Sequence, residues 1–374
     1  MVKVLEVNVD DNGYGGVYAF VLNILENIGK EFRIDLCSFE KFEKQSNIDY
    51  VESFGGKVHY CGFSGQLWKK QLNCLNNLYQ LAKSGQYDVV HIHSDVSYKL
   101  FLYALTVKMA SSSKILIHSH SSGVEGRHRN IKSVLQRLAK PFLPLVADKF
   151  IACSQKAARW MYPRNIINKN RVIFINNGVN VSNFRFDLNA RNEIRKSLNL
   201  RDEFVVGHVG RFSYPKNHMF LIDIFAELVK IYPKSKLLLI GSYVGDPSFL
   251  NDAKSKVLKM GLSNKVLFLG IRNDVPRLMQ AMDCFLLPSR FEGLPVVGIE
   301  AQAAGLPCFF SDVITKELGI TKLAHFISLK KGPREWAMQI LKCSHISRQN
   351  MQKEIGIAGY DIQYEIKKLE KLYQ

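Results

Sequence analysis

The chain has 374 residues, 47% of them hydrophobic and 22% charged. This is the composition of an ordinary globular protein, with a length that favours two domains over one. It contains no low-complexity segment and no run of about 18 apolar residues, so no membrane-spanning helix is expected. Its seven cysteines are scattered, without a C-x-x-C pair. They argue against a disulfide framework or a zinc site and favour a reducing, cytoplasmic compartment.

The net charge of +18 is unevenly distributed along the chain. Residues 1–98 contain nine Lys and Arg against twelve Asp and Glu, whereas residues 99–186 contain fifteen against two. Residues 187–374 contain 27 against 19. The segment 99–186 is therefore expected to face an anionic partner, such as nucleic acid, a membrane surface or a phosphorylated ligand.

The first half of the chain alternates short apolar runs with helical patterns. It starts with "MVKVLEVNVDDNG", where acidic residues directly after the apolar stretch predict a strand rather than a secretion signal. The alternation predicts a parallel sheet covered by helices on both faces. The predicted strands are 2–9, 32–39, 57–62, 87–94, 114–121, 148–154 and 171–176. The predicted helices between them include 16–28, 66–84, 97–110 and 130–145.

A segment rich in Asn and Gly, residues 176–193, interrupts this alternation and predicts a linker. The alternation then restarts, so we expect two successive doubly wound α/β domains. We assign residues 1–180, together with a C-terminal helix at about 355–374, to the first domain and residues 181–354 to the second. The strands predicted for the second domain include 203–210, 236–242, 265–270 and 284–289.

Two loops at predicted strand ends have residues suited to an anionic ligand. The first, "DDNGYGG", places three glycines before a helix, where the backbone and the helix amides can approach a phosphate; a simple tight turn explains it equally well. The second, "GRFSYPKNH", places Arg211 and Lys216 five residues apart, which suits a diphosphate. Taken alone, this second loop is also explained by solvated surface charge.

A third loop, "SRFEGLPVVGIEAQAAGLP", contains two carboxylates, Glu292 in a turn and Glu300 in a helix. Pro295 suits the first helical position, so the amides near residues 293–297 are expected to face a phosphate. Glu300 lies among small apolar neighbours and needs hydrogen-bond partners. The two hydroxyls of a sugar could satisfy it; the alternative is a backbone amide or a basic side chain.

Two histidine pairs, "HIH" at 91–93 and "HSH" at 118–120, lie on predicted strands. Alternate strand residues share a face, so each pair could chelate a metal ion. No third ligand accompanies either pair in the sequence, and no D-x-D occurs in the chain. We therefore predict polar strand-end histidines and no metal site.

Five of these segments, in this order along the chain, resemble the motifs of retaining GT-B glycosyltransferases, in particular glycosyltransferase family 4 of the bacterial capsular and exopolysaccharide type. "FEGLPVVGIEAQAAGLP" resembles the E-x7-E motif, and "VGRFSYPKNH" resembles the G-R-x-x-x-x-K phosphate loop. "FLGIRNDVPRLMQAMDCFLLPS" is similar to the base-binding segment, "NNGVN" to the interdomain linker and "GYGGVYAF" to the N-terminal glycine loop. Such proteins have two Rossmann-like domains that face each other across a cleft. The resemblance implies that the first domain binds the acceptor and the second the nucleotide-sugar donor.

The resemblance also implies roles for individual residues. Arg211 and Lys216 would bind the donor diphosphate, Glu300 the ribose and Glu292 the sugar hydroxyls. His120 would face the reacting sugar. The remaining donor-binding residues implied by the family motifs are Gly16, Arg272, Gly293, Leu294, Pro295 and Val296.

The implied reaction is transfer of a sugar, with retained anomeric configuration, from a UDP-sugar to a glycan or lipid-linked acceptor. Uridine is favoured over guanosine as the base by the resemblance alone. Neither a cofactor nor a metal ion is expected, because Arg211 and Lys216 can supply the positive charge. In one respect the chain departs from many relatives: "GGVYAF" has no acidic residue after the double glycine, which puts an acceptor-side carboxylate there in doubt.

The basic segment has two interpretations. Residues 130–145 contain an apolar stripe of helical period, which predicts either a core-packed helix or docking to the anionic inner face of a membrane, where a polyprenyl-diphosphate-linked acceptor would reside. The loop "GRHRN" could contact acceptor phosphates. The basic residues assigned to acceptor or membrane contact are Arg127, Arg129, Lys132, Arg137 and Lys140.

Two alternative functions share parts of this evidence. A sugar-nucleotide epimerase or hydrolase of the same fold would bind a UDP-sugar and turn it over without an acceptor. A nucleic-acid-binding protein would explain a pI near 9.5. The chain has no nucleic-acid-binding motif, and its aromatic residues do not alternate with the basic ones as a stacking platform would require. No nucleic-acid partner is therefore expected.

Overall fold

The computed structural model describes residues 1–11, 16–62, 70–120, 129–176, 178–243, 245–292, 294–345 and 347–374. Within these ranges, the side chains of residues 70 and 129–132 are not described. The chain forms two compact units. Unit 1 consists of residues 1–178 and 362–374, and unit 2 consists of residues 179–361.

Unit 1 is built on a seven-stranded sheet in the order β3-β2-β1-β4-β5-β6-β7. All its pairings are parallel, as the alternation of strand and helix predicts. From β1 the chain adds β2 and β3 toward one edge of the sheet, and from β4 it adds β5, β6 and β7 toward the other. The strand order therefore reverses between the adjacent strands β1 and β4, which we call the reversal point. The strands are β1 Val2–Val7, β2 Phe32–Ser38, β3 Val58–Tyr60, β4 Val89–Ser94, β5 Lys114–Ser119, β6 Lys149–Ala152 and β7 Val172–Phe174.

The helices of unit 1 bury apolar side chains against the two faces of this sheet, so the strands β1 and β4 are almost fully enclosed. Near-continuous apolar strands are typical of a parallel sheet covered on both faces. The helices are α1 Gly16–Asn27, α2 Gln45–Ser53, α3 Lys70–Gly85, α4 Ser97–Ala110, α5 Arg129–Ala139, α6 Leu143–Val146, α7 Gln155–Met161 and α8 Arg164–Asn168.

Unit 2 has a six-stranded sheet in the order β10-β9-β8-β11-β12-β13, again entirely parallel. Its order reverses direction between β8 and β11. Two apolar clusters cover its faces. The strands are β8 Phe204–Val209, β9 Ser235–Ile240, β10 Val266–Gly270, β11 Cys284–Leu287, β12 Cys308–Ser311 and β13 Ala324–Ile327. The helices are α9 Leu188–Ser197, α10 His218–Ile231, α11 Ser248–Lys259, α12 Val275–Ala281, α13 Val296–Ala303, α14 Pro333–Lys342 and α15 Gln352–Ile357. The expected class, two Rossmann-like α/β domains, is therefore confirmed.

The predicted linker at 176–193 is too long. Asp187 caps α9 by accepting a hydrogen bond from the Ala190 amide at 2.8 Å, so helix begins inside the predicted segment. Capping by Asp is a strong helix-start signal that the Asn-rich composition obscured. The chain returns from unit 2 to unit 1 later than expected. Residues 355–361, assigned to the first domain from the sequence, lie in unit 2, where the Val179 amide donates to the Tyr360 carbonyl at 2.8 Å.

The last helix, α16, spans Ile362–Tyr373 and belongs to unit 1. Its Glu370 accepts a hydrogen bond from the Gly29 amide at 2.8 Å, and its Glu365 accepts one from the Asn176 amide at 3.0 Å. Its apolar side chains, including Ile366 and Leu369, join the same core cluster as strand β1. The end of the chain is thus part of the fold of unit 1.

The continuous helix predicted over 130–145 is wrong. Helix α5 ends at Ala139, a 3-10 turn covers Lys140–Phe142, and the short helix α6 follows. Pro141 and Pro144 explain the break, because proline lacks the amide donor and its ring clashes with the preceding turn of an α-helix. Within the described residues, no helix combines the length and the apolar character that a membrane crossing requires.

Candidate functional site

The donor residues of unit 2 lie at the point where its strand order reverses. Loops that follow β8 and β11 leave the same edge of the sheet side by side, which is where open α/β sheets bind ligands. Lys216 follows β8 and Glu292 follows β11. Their side chains form an ion pair across this point, with Nζ and Oε1 2.8 Å apart and each side chain 16% exposed.

This ion pair joins two residues that the sequence assigned to different parts of a ligand. Glu292 also accepts a hydrogen bond from the Ser289 hydroxyl at 2.9 Å. Ser289 is itself held, because the Ser311 hydroxyl donates to its carbonyl. The carboxylate is therefore oriented from within the sheet edge, and Lys216 is neutralised by it. Sequence reasoning did not predict this pair, since the two residues are 76 positions apart.

The two loops are also tied together through Asn217, which adopts a left-handed conformation with φ 57°. Its side-chain amide donates to the Pro288 carbonyl at 3.1 Å, and its oxygen accepts from Arg290 Nε at 3.1 Å. The Arg290 amide donates back to the Pro215 carbonyl at 2.7 Å. Asn tolerates the left-handed region better than most residues. These contacts hold the loop that carries Lys216 against the loop that carries Glu292.

Two glycines allow the backbone to pack closely beneath Lys216. A Cβ on Gly210 would lie 3.0 Å from Lys216 Cε and 3.1 Å from His208 Nε2. A Cβ on Gly241, which has φ 134°, would lie 2.2 Å from the Gly210 carbonyl oxygen. Neither glycine was singled out from the sequence. The signal available was their position directly after strands β8 and β9, where close backbone approach is common.

Arg211 differs from Lys216 in its surroundings. Its side chain is exposed, and in the part of the chain that the structure describes it forms no ion pair. The backbone around it is fixed, because the Gly210 amide donates to the Ile240 carbonyl at 2.9 Å and the Phe212 amide to the Ser242 carbonyl at 2.8 Å. Arg211 therefore presents an uncompensated guanidinium from a rigid base.

Glu300 lies on α13 and is half-buried. Burial raises the pKa of its carboxyl to about 7. Neither a backbone amide nor a basic side chain among the described residues satisfies this carboxylate, so that alternative from the sequence is not observed there. A carboxylate held in partly desolvated surroundings without a partner is suited to accept hydrogen bonds from a ligand.

Pro295 does not occupy the first helical position of α13 that the sequence predicted for it. Pro295 occupies the N-cap position with extended backbone, φ −74° and ψ 103°, and the first helical residue is Val296. Leu294 and Val296 are half-buried. Gly293 lies outside the described residues, so the predicted role of its amide stays a prediction.

Arg272, predicted to meet the base, already has a carboxylate partner. Its Nε and Nη2 donate to the two oxygens of Asp274 at 2.7 and 2.6 Å. This bidentate pair, which raises the pKa of Arg272, stands on the surface loop after β10. The arrangement holds the guanidinium by its edge, which fixes its plane and leaves its flat faces for stacking.

In unit 1, both histidine pairs lie at the reversal point of the sheet, beside a carboxylate from β1. Glu6 Oε2 lies 2.6 Å from His93 Nε2 and 3.0 Å from His91 Nδ1. The Tyr373 hydroxyl from α16 donates to Glu6 Oε1. His120, one residue beyond the observed end of β5, places its Nε2 2.9 Å from His93 Nδ1. Gly16 is the first residue of α1 in the same unit.

The fold brings together a third histidine that the sequence did not associate with the first pair. His91, His93 and His118 are fully buried and have ring nitrogens within 4.8 Å of one another. Both ring nitrogens of His93, however, have hydrogen-bond partners. His93 therefore has no lone pair left over for a metal ion, and the absence of a metal site stays a prediction.

The basic residues assigned to an acceptor or membrane fall into three groups. Arg127 lies outside the described residues, and for Arg129 and Lys132 only the backbone is described. Arg137 is exposed. Lys140 is different from expectation: its ammonium donates to the Arg159 carbonyl at 2.6 Å, and burial lowers its pKa. It therefore stabilises the 3-10 turn after α5.

The apolar stripe of this segment faces solvent. Gln136 is buried and bonds the start of α4, through the Ser97 amide and hydroxyl. The opposite side of α5, the turn after it and α6 carry exposed large apolar side chains, which excludes the interpretation of the stripe as a core-packed face. The exposed fractions are Val134 55%, Leu135 43%, Leu138 63%, Phe142 51% and Leu145 66%.

Comparison with known proteins shows which families this architecture resembles. The chain matches the family model of glycosyltransferase family 4 over residues 14–183 and that of glycosyl transferases group 1 over residues 190–355. EpsF of Bacillus subtilis is 29% identical over 96% of this chain and 93% of its own length. A UDP-Gal:alpha-D-GlcNAc-diphosphoundecaprenol alpha-1,3-galactosyltransferase of Escherichia coli is 30% identical over 65% of this chain and 62% of its own length.

Among solved structures, Anabaena Alr3699/HepE in complex with UDP superposes with a TM-score of 0.77 at 20% identity, covering 100% of this chain and 99% of that one. The two doubly wound units thus have the GT-B type of fold. Together with the two family models, which follow each other along most of the chain, this makes the protein a glycosyltransferase of the group 1 and family 4 type.

Proposed function

We propose that the protein is a retaining glycosyltransferase that moves a sugar from a UDP-sugar to a lipid-linked glycan acceptor in surface polysaccharide synthesis, without a metal ion. The observation that carries this proposal is the Lys216–Glu292 ion pair at the strand reversal of unit 2, together with Arg211 on the same loop as Lys216, which forms no ion pair with any described residue. The name of the E. coli relative, which specifies a UDP-sugar and a polyprenyl diphosphate acceptor, supports it.

In this proposal Lys216 exchanges its partner when the donor binds. The diphosphate carries more charge than one carboxylate, and it would draw the Lys216 ammonium from Glu292 while Arg211 binds a second phosphate oxygen. Glu292 remains oriented by Ser289 and becomes free for hydroxyls of the transferred sugar. The ion pair thus keeps both groups in place and partly desolvated before the donor arrives.

Glu300 is assigned to the ribose. Vicinal hydroxyls present two donors side by side, and the ionised carboxylate of Glu300 presents two acceptors. The uridine base is assigned to the loop after β10, with the Arg272–Asp274 pair as one wall. This arrangement would hold the nucleotide along the edge of the unit 2 sheet.

The chemical step requires little from the protein beyond positioning and charge. In front-face attack, the acceptor hydroxyl approaches the anomeric carbon on the side from which the diphosphate departs, and the departing phosphate oxygen takes the hydroxyl proton. Arg211 and Lys216 would stabilise the negative charge that develops on that phosphate. The glycosidic bond to UDP breaks as the new one forms, and UDP carries the proton away.

The exposed stripe that runs along α5, the following 3-10 turn and α6 is assigned to membrane docking. Its five large apolar side chains and the exposed Arg137 form an amphipathic surface of the kind that lies in an anionic bilayer interface. A lipid-linked acceptor would be found at such a surface.

The test is product analysis with UDP-sugars and a polyprenyl-diphosphate-linked acceptor. We expect acceptor-dependent release of UDP and a product whose anomeric configuration, determined by NMR, matches that of the donor. EDTA should leave the rate largely unchanged. Donor turnover at the same rate without acceptor would favour the epimerase or hydrolase, and inversion at the anomeric carbon would contradict the retaining mechanism.

A further inference from the structure

The carboxylate of Glu6 is surrounded by hydrogen-bond donors inside the sheet of unit 1. It is fully buried, and it is approached by His91, His93 and the Tyr373 hydroxyl. Burial alone would favour the protonated acid, but the electrostatic interaction and hydrogen bonds with His91 and His93 outweigh it and hold the pKa of Glu6 well below its usual range. Glu6 is therefore an ionised group that only accepts hydrogen bonds.

The tautomer of His93 follows from this carboxylate. At 2.6 Å from Glu6 Oε2, His93 Nε2 must carry a proton and donate it. Burial lowers the pKa of His93 to about 4, so the ring is neutral and carries one proton only. His93 Nδ1 is consequently a bare acceptor.

The same argument continues to His120. Its Nε2 lies 2.9 Å from His93 Nδ1, and since the latter has no proton, His120 Nε2 must be the donor. Burial, with His93 and His91 nearby, lowers the pKa of His120 well below its ordinary value, so this ring is neutral as well. His120 Nδ1 is then also bare, and within the described residues this buried nitrogen has no hydrogen-bond partner.

We propose that Glu6 and His93 form a hydrogen-bonded relay that fixes His120 as its Nε2–H tautomer, so that His120 Nδ1 accepts a hydrogen bond from a sugar hydroxyl. A phosphate oxygen cannot donate to this nitrogen, so the contact of His120 is to a hydroxyl and not to the diphosphate. Glu6 and His93 are positioning residues that act through His120. This inference rests on the proposed function only in naming a sugar as the ligand.

The decisive variant is Glu6→Leu, which removes the acceptor of the His93 Nε2 proton. Without that acceptor the relay no longer favours the Nε2–H tautomers, so both rings are expected as mixtures of tautomers. In the Nδ1–H fraction, His120 offers the ligand a donor in place of an acceptor. Tyr373→Phe is the matched control, because it removes one neighbour of Glu6 and leaves the carboxylate charge and the relay intact.

The experiment is long-range 1H–15N NMR of the full chain labelled at its histidine rings, without any substrate. The ten histidines are assigned with single His→Gln variants. We expect Nε2–H tautomers for His93 and His120 in wild type and in Tyr373→Phe, and a mixture of both tautomers in Glu6→Leu. A 15N–15N coupling across the His120–His93 hydrogen bond, measured in the wild type, keeps the test valid if Glu6→Leu does not fold.

The relay is overturned if wild-type His120 carries its proton on Nδ1, or if Glu6→Leu leaves both rings entirely in the Nε2–H tautomer. The hydroxyl contact is tested separately by kinetics with the UDP-sugar. Glu6→Leu should lower kcat by about threefold to tenfold with little change in KM, because the Nδ1–H fraction of His120 lacks a transition-state contact. Correct tautomers with unchanged kcat would remove His120 from the sugar. An enzyme inactive toward every UDP-sugar would contradict the proposed function and leave the tautomer result standing.

Discussion

The two units place charged residues at the same topological position in different ways. Both sheets reverse their strand order between two adjacent strands, β1 and β4 in unit 1 and β8 and β11 in unit 2. In unit 2 the charges, Lys216 and Glu292, lie in loops beyond the strand ends and are 16% exposed. In unit 1 the charge of Glu6 lies within a strand and is fully buried, with His91 as its register partner on β4 and His93 Nε2 2.6 Å from its carboxylate.

Because of this difference, the Lys216–Glu292 ion pair of unit 2 can exchange its partners for a ligand, whereas the buried Glu6 of unit 1 cannot. An ion pair at the loop level can open and hydrate, so its partners are available to a ligand at modest cost. A buried carboxylate that accepts three hydrogen bonds cannot lose a donor without leaving polar atoms unsatisfied. We infer that unit 2 binds charge at its reversal point, whereas unit 1 uses buried charge to fix the orientation of histidines.

The largest effect expected is on the stability of unit 1. Glu6→Ala removes the acceptor of three buried donors and should lower the local free energy of unfolding by about 3–5 kcal/mol. Glu292→Ala, which breaks only the loop-level pair, should cost about 1 kcal/mol. Hydrogen exchange of amides in β1 and β4 for the first variant, and in β8 and β11 for the second, measures each unit by itself. Equal losses would show that the two reversal points are built alike.

Next in size is the effect of the unit 2 cations on turnover. Arg211→Ala and Lys216→Ala should each lower kcat/KM by about thirtyfold to a thousandfold, or roughly 2–4 kcal/mol, because in the proposed mechanism each removes a charge-assisted contact to the departing phosphate. Lys230→Ala is the control, since Lys230 pairs with Glu227 on an exposed helix surface. Initial rates over a range of donor concentrations decide the matter. Normal kinetics in both variants would exclude these residues from the site.

Substitutions of Glu300 and Glu292 should affect different properties, the first nucleotide affinity and the second turnover. Glu300→Gln should weaken UDP and the UDP-sugar by similar factors, about tenfold, because the ribose is common to both. Glu292→Gln should leave UDP affinity almost unchanged and lower turnover, because its contacts to the sugar strengthen in the transition state. Calorimetry with UDP, beside initial rates, gives both quantities. A comparable loss of UDP affinity in the two variants would contradict the division.

The raised pKa of Glu300 predicts a pH dependence of donor binding. Below about pH 7 the carboxyl is protonated and accepts fewer hydrogen bonds, so UDP affinity should fall as the pH is lowered through that value. The sign for stability is opposite: the native state holds this proton more tightly than the unfolded chain, so its contribution to stability declines as pH rises from the ordinary carboxyl pKa to about 7. Glu300→Gln should show neither dependence. An identical pH profile in wild type and variant would assign the effect to another group.

The smallest effect concerns the surface of unit 1. Leu138→Glu and Arg137→Glu should each weaken binding to vesicles that contain anionic lipid, the charge change by about 1 kcal/mol per basic residue lost. Lys169→Glu, a basic surface position outside the stripe, serves as the control. Co-sedimentation at low and high salt measures the change. If the wild type ignores anionic vesicles at low salt, the stripe has another partner.

The sequence by itself determined the parts of this protein that depend on local pattern. Alternating apolar runs predicted both parallel sheets, and the residues between Ser289 and Pro307 carried the family resemblance with Glu292 and Glu300 already in place. Pro141 and Asp187 were local signals too, for the break after α5 and the start of α9, and a closer use of proline and capping rules would have found them.

Only the tertiary structure decided which polar groups meet. Glu6 contacts His91 across 85 positions of sequence and Tyr373 across 367, and Lys216 meets Glu292 because β8 and β11 are neighbours although β9 and β10 intervene in the chain. Periodicity reports which face of an element is buried, but it contains no information on strand order. The tautomer of His120 depends on a carboxylate two hydrogen bonds away, and that chain of contacts exists only once the sheet of unit 1 has formed.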